Sequence, residues 1–201
     1  MAADLILMLV ILNPFAQMLY LSGLMSEAEA KTFRSIFFQA SILTLAICVL
    51  FALCGEMVLS RVFQIELPAL QIFGGLIILT VAYKYILSGS EGVPLFKGEY
   101  SEIAQQITLP LHVGPGLLWI CILIGERHDA PIATLIIIAG IVLNAAMVLL
   151  YHHVFKHARR RMELALLKYF AIAMRLNALL IGAVSVQMII EGVTSLIRPA
   201  G

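Results

Sequence analysis

Charge is what this 201-residue chain has least of. Asp, Glu, Lys and Arg make up 12% of it, about half the share of an ordinary soluble domain. Hydrophobic residues make up 62% and mean hydropathy is +1.02. A water-solvated globule is thereby excluded, and a single integral membrane domain is expected over residues 1–201. The net charge of +1 leaves no basic excess to hold a nucleic acid. Cysteine is scarce too. Cys48, Cys54 and Cys121 all sit in apolar runs without metal-ligand spacing, so buried free thiols are expected and no cofactor. No acid pair, nucleophile or hydrolase motif is present, so catalysis is not expected. The first apolar run lacks a basic leading segment and carries Asp4, which argues against a cleavable signal peptide. No carboxylate falls at mid-span, because Glu56 and Glu191 lie towards span ends.

What is present is a series of runs long enough to cross a bilayer, which takes roughly 20 apolar residues. Six are read at about 3–24, 35–58, 68–88, 103–125, 131–153 and 171–195. Polar connections separate them: SEAEAK (26–31), SGSEG (88–92), GERHDAP (125–131) and KHARRR (156–161). Lys31, Arg34, Lys84, Lys97, Lys156, Arg159, Arg160, Arg161 and Lys168 collect on one side. Arg61, Arg127 and Arg198 collect on the other. Positive charge marks the cytoplasmic face, so both termini are expected outside the cytoplasm.

The connection at 89–102 divides the chain into repeats of about 1–95 and 96–201. Asn13-Pro14 interrupts span one and Gly114-Pro115 interrupts span four, while Ser88-Gly89 and Glu191-Gly192 close spans three and six. Three spans is an odd number, so the second repeat enters the membrane from the opposite side. The expected fold is therefore all-α, six transmembrane helices in inverted 3+3 repeats, with the first and fourth helices broken.

The prolines carry the functional reading. Each lacks an N–H and clashes with the carbonyl four residues back. The carbonyls freed in this way, near Val10 and Leu111, find no water in hydrocarbon, where an unsatisfied group costs several kcal/mol. Asn13 ahead of Pro14 and Gly114 ahead of Pro115 have the cap-then-proline pattern of a helix start. Two half-helices beginning near mid-depth would present positive N-terminal ends to an anion or carboxylate. Gly114 and Gly116 would let a ligand approach the backbone. Gln17, one turn beyond Asn13, shares its face. A pair of ordinary proline kinks is the plainer alternative.

Other polar residues divide between structural and functional roles. Gly74 and Gly75 suggest close helix packing. Arg175 either snorkels to the cytoplasmic face or supplies a counter-charge near a solute path, and Lys84 snorkels. His112 lies two residues before the second break and either packs as a neutral ring or carries a proton. His152, His153 and His157 suit contact with anionic lipid better than a metal. Gln71 and Gln187 can bond across helices.

NPF (13–15), FGG (73–75), PLHVGPG (110–116) and RLNALL (175–180), in this order and spacing, resemble the MarC family of bacterial integral membrane proteins, over nearly the whole chain. Some members are classed as neutral amino acid transporters. The resemblance implies a multi-pass inner-membrane protein that moves a small molecule. The chain departs from the family's usual residues at Ala16, Gln17, Leu19, Gln106, His112 and Asn177, a divergent branch. The expected activity is alternating-access transport of a small polar metabolite. The substrate-binding candidates are Asn13, Pro14, Gln17, His112, Gly114, Pro115, Gly116, Arg175 and Asn177. The expected partners are that solute and the lipid bilayer, with oligomeric state left open. A non-transporting membrane assembly partner is the alternative, and an intramembrane enzyme ranks last.

Overall fold

The computed structural model describes residues 1–88, 99–157 and 160–197, without the side chains of Ser88, Tyr100, Pro110, Arg160, Arg161 and Glu163. Most of the connection expected at 89–102, with Gly89 and Lys97, lies outside the described residues, as do Arg159 and Arg198.

Every described element is a helix or helical turn. Helix α1 (Ala2–Leu12) stops at Asn13, and α2 (Pro14–Tyr20) and α3 (Ser22–Glu27) follow. Then come α4 (Ala30–Met57) with a wide π-type turn over Val58–Phe63, and α5 (Leu67–Ser88). Helix α6 (Tyr100–Gln106) runs into a second wide turn, Ile107–His112, before α7 (Pro115–Arg127), α8 (Ala130–His157) and α9 (Arg160–Ile197).

Five stretches among the described residues are long and apolar enough to cross a membrane: Ala2–Tyr20, Ala30–Phe63, Leu67–Leu87, Ala130–His157 and Leu164–Ile197. The span expected at 103–125 is not one of them, because no single helix covers it. Proline explains why. The residue before a proline is pushed out of the helical region, and Leu109, ahead of Pro110, is extended at φ −126°, ψ 119°. Val113 and Gly114 are extended as well. What remains is a 7-residue helix and a 13-residue helix on either side of the break. Helix α9 begins earlier than the expected 171. Arg, Met, Glu, Leu, Ala and Lys over 160–168 are all strong helix formers, so the basic stretch continues the helix instead of ending it.

Large apolar side chains such as Phe38, Leu53, Leu150 and Leu179 face outward, as hydrocarbon solvent requires. Inside, helices meet through small residues. Helices α5 and α9 lie antiparallel: a side chain at Gly75 would meet Ser185 and Ile189, one at Gly192 would meet Pro68 and Ile72, and Gly182 faces Ala82. Gly55 against Ile122 and Gly125 against Ala52 seat α4 on α7, and Gly140 receives Met8 of α1.

The ends of the helices sort into two groups. At one end Lys156 Nζ donates to Ala28 O (2.9 Å), and Phe33 stacks on His152 with centroids 4.4 Å apart. At the other, Asp4 gathers the N-terminal ammonium (2.8 Å), Arg127 (3.1 Å) and His128 (3.1 Å). The start of α1 and the α7–α8 turn therefore adjoin.

Helices α4 and α8 are 28 residues each. Residues 33, 36, 37, 40, 41, 44 and 48 of α4 are buried, and so are residues 133, 136, 137, 140, 141, 144 and 148 of α8. The same face turns inward in both, one hundred residues apart.

Candidate functional site

Asn13 sits in the left-handed region at φ 50°, ψ 69°, a conformation asparagine tolerates better than most residues. Its Oδ1 accepts from Ala16 N (3.1 Å), and Pro14 takes the first helical position. In a continuous helix Ala16 N would bond Leu12 O. Here Gln17 Nε2 covers that carbonyl instead (2.8 Å). Pro14 frees Val10 O, and Asn177 Nδ2 donates to it across 3.1 Å. Two side-chain amides thus do what water cannot do in hydrocarbon.

Gln17 is also the hub of a larger cluster. Its Oε1 accepts from Asn144 Nδ2 (3.1 Å) and lies 3.1 Å from His112 Nε2. Its Nε2 reaches Asn144 Oδ1 (3.2 Å). His112 Nδ1 stands 3.0 Å from Thr44 Oγ1, with Phe37 edge-on to the ring. Gln17, Thr44, Asn144 and His112 are 0%, 1%, 2% and 4% exposed. His112 reaches this place because the chain is unwound around it, and Val113 N closes the wide turn on Thr108 O (2.8 Å). The hydrogen bond between Gln17 and His112 therefore joins the two breaks. One donor is left over: Asn13 Nδ2 is buried with no partner among the described residues.

The second break is built differently. Gly114 caps α7 in an extended conformation with no side-chain hydrogen bond, and Pro115 takes the first helical position. Among the described residues, a side chain at Gly114 would meet nothing within 4 Å. One at Gly116 would run into Ile78, so that glycine seats α7 on α5. A side chain at Gly74 would start 3.4 Å from the backbone of Pro115, and Gly75 packs on α9. The third long helix of each half thus touches the break of the other half: α5 touches it through Gly74, α9 through Asn177.

Of the residues singled out from the sequence, Asn13, Pro14, Gln17, His112 and Asn177 come together. Gly114, Pro115 and Gly116 adjoin them across the second break. Arg175 does not join: it is on the exposed face of α9. His153 and His157 are neighbours on the surface, His152 is buried against Phe33, and no group of three or more metal-binding side chains forms among the described residues. Gln71 and Gln187 both donate to Glu191 (3.1 and 2.7 Å).

Thr44 and Asn144 escaped the sequence reading. The signal was there: each interrupts an apolar run, SILTLAICVL and IVLNAAMVLL, at positions one hundred residues apart. Thr108 was missed too. Its hydroxyl bonds Ala104 O (2.8 Å) and lies 3.3 Å from Ala40 O. It also borders an open groove between α4 and α6, lined by Leu43, Glu102 and Gln105 among others. The cluster itself holds no carboxylate, lysine or arginine, is rich in donors and acceptors, and is closed.

Comparison with known proteins gives one consistent result. The MarC family integral membrane protein profile matches residues 1–197. A UPF0056 membrane protein of Pyrococcus horikoshii is 23% identical over 190 residues, covering 93% of this chain and 90% of its own. One from Aquifex aeolicus is 24% identical over 204 aligned positions, 95% of this chain and 91% of its own. One from Buchnera aphidicola is 24% identical over 123 residues, 61% of this chain and 62% of its own. No solved structure matches.

Proposed function

The chain belongs to the MarC family of integral membrane proteins, and on that premise we propose that it is a secondary transporter of a small polar metabolite. It moves the solute by alternating access across the bacterial inner membrane, with both termini outside the cytoplasm. The observation that carries this reading is the closed amide, imidazole and hydroxyl cluster joining two interrupted helices. Interrupted helices meeting at mid-depth are the usual binding architecture of such transporters. Buried polar groups inside a membrane domain are costly and mark solute pathways.

Six crossings in inverted repeats complete the proposal. In support, the segment 99–127 follows α4 in the same direction: Thr108 is at Ala40, His112 at Thr44 and Ile122 at Gly55. From Ala40 to Gly55 is about 22 Å at 1.5 Å per residue. The antiparallel α5 and α9, and the shared burial pattern of α4 and α8, support two related halves of opposite direction. The whole chain is one domain, whose repeats meet near residue 95.

Asn13 Nδ2 and the uncapped start of α7 are the donors available to a solute. Both favour a carboxylate, which fits a neutral amino acid. Gln17, His112 and Asn144 define the polar floor. The groove bordered by Thr108 is the proposed approach, and no chemical step is assigned.

The test is counterflow. Liposomes holding purified protein and preloaded with unlabelled alanine or serine should accumulate the labelled amino acid faster than empty liposomes. No protein-dependent flux across a panel of amino acids and small carboxylates would reject the reading. The tight seats of Gly116 and Gly75 favour the second reading, an assembly partner in which the glycines serve packing alone. That version expects no flux and loss of a co-purifying partner in Gly116→Leu.

A further inference from the structure

We propose that His112 is a proton-responsive latch on the closed cluster: closure holds the neutral ring in one tautomer, and a proton taken up by that ring favours opening. The tautomer follows from Gln17. Its amide nitrogen is fixed on Leu12 O (2.8 Å), since a carbonyl only accepts. Gln17 Oε1 therefore faces His112 Nε2 at 3.1 Å. One of the two must supply a hydrogen, and the amide oxygen has none, so Nε2 carries it. In a neutral ring Nδ1 is then an acceptor. Thr44 must donate its hydroxyl hydrogen to it, across 3.0 Å.

Thr44 has a second acceptor in reach, Ala40 O at 2.8 Å, with Thr108 Oγ1 3.3 Å from the same carbonyl. When the ring gains a proton from water at Nδ1, that N–H donates to Thr44 Oγ1. The Thr44 hydrogen swings to Ala40 O, and Thr108 keeps Ala104 O (2.8 Å). One proton enters, and none leaves. Every polar atom of the relay keeps a partner, so hydrogen bonding does not oppose the charged ring.

Burial opposes it. Thr44 and Phe37 of α4 face the ring, with Gln17 of α2 and, behind it, Asn144 of α8. None is charged. Lys31, Arg34 and Glu56 of α4, Glu102 of α6, Glu126 and Arg127 of α7, and Lys156 of α8 lie towards helix ends. Other titratable groups on these helices have other neighbours: Tyr20 meets Tyr85, Cys48 meets Cys121, His152 meets Phe33, Tyr151 meets Phe155 and Phe170, and His153 meets His157 on the surface; Cys54 lies near the end of α4. An imidazolium sealed from water without a counter-charge is strongly disfavoured. The proton enters when the cluster opens, and acidification therefore weakens closure. The open state rests on the alternating access proposed above; the tautomer does not.

Two readouts test this without transport. In protein carrying ¹³C,¹⁵N-histidine in lipid nanodiscs, His112 is assigned among the five histidines by the signals missing in His112→Gln. Near pH 7.5, above the ordinary imidazole range, the expected species is neutral with the hydrogen on Nε2. An Nδ1–H tautomer or an imidazolium at that pH overturns the proposal. The second readout is amide hydrogen exchange, corrected for intrinsic rates. Protection of residues 12–18 and 112–118 is expected to fall by up to about tenfold per pH unit below the imidazole range, the limit for one proton. It should stay flat in His112→Gln. An unchanged slope in that variant, or protection that rises on acidification, also overturns the proposal. Should His112→Gln not fold, Thr44→Ser and Thr44→Val replace it. The serine variant should keep the Nε2–H tautomer and the valine variant should disturb it; identical spectra would contradict the relay. Flux without these signatures rejects the latch and leaves the transporter standing, and the reverse outcome does the opposite.

Discussion

The two helix breaks solve one problem in opposite ways. At Asn13-Pro14 nearly everything is satisfied from within. The cap bonds Ala16 N, Gln17 covers Leu12 O, and Asn177 reaches over from α9 to Val10 O. At Gly114-Pro115 the cap has no side chain, the approach is an unwound turn, and none of the described residues stands within 4 Å of where a side chain would start. A break that is bonded shut is a structural pivot, whereas a break that is left bare leaves room for something else. On the proposed transporter reading, the difference suits the first break to holding the fold and the second to meeting a solute.

Substitutions sharpen that contrast. The largest effect is expected at Gln17→Leu, which strands Leu12 O, the Asn144 amide and His112 Nε2 together. Each unsatisfied buried group costs about 1–3 kcal/mol, so the apparent Tm in detergent should drop steeply and flux should vanish. A near-normal Tm would mean that the amide is not the hub. Next comes Gly116→Ala, whose new methyl group meets Ile78. Overpacking of this kind costs about 1–3 kcal/mol, and pairing it with Ile78→Val should restore part of the loss. Failure of that rescue in a double-mutant cycle would remove Gly116 from the α5–α7 seat.

Asn177→Ala should cost about 1–2 kcal/mol by leaving Val10 O unbonded. The same change at Arg175, exposed two residues away, should cost within about 0.5 kcal/mol. Equal losses at the two would contradict the bonded-shut picture of the first break. The smallest stability change is expected at Gly114→Ala. Its φ of −115° is open to any residue and none of the described residues would meet the added methyl within 4 Å, so thermal stability should move by less than about 0.5 kcal/mol. Counterflow should nonetheless fall several-fold. Loss of fold without selective loss of flux would make the second break structural as well.

Much of this contrast could be read from the residues. Both helix starts fall at the prolines, because a missing N–H and a fixed φ act locally. Val10 O was expected to need a partner, and it has one. The identity of that partner was not readable: Asn177 lies far along the chain, and only packing brings α9 to Val10. Thr44 and Asn144 were hidden for the same reason. Each looks like a tolerated polar residue in an apolar helix until the fold turns both towards Gln17. Gly116 and Gly114 look alike in PLHVGPG, and only the position of Ile78 separates a packing glycine from one facing open space. The interruption before α7 also explains why five stretches, not six, meet the length of a membrane helix.

Alternating exposure of the second break is the claim on which the transporter reading turns. The most direct measurement places Gly114→Cys in a protein whose Cys48, Cys54 and Cys121 are alanine. The protein is reconstituted in one orientation and probed with a membrane-impermeant maleimide from each side in turn. Labelling from both sides is expected, with a solute shifting the balance between them. A thiol reached from neither side, or from one side only under every condition, would contradict alternating access.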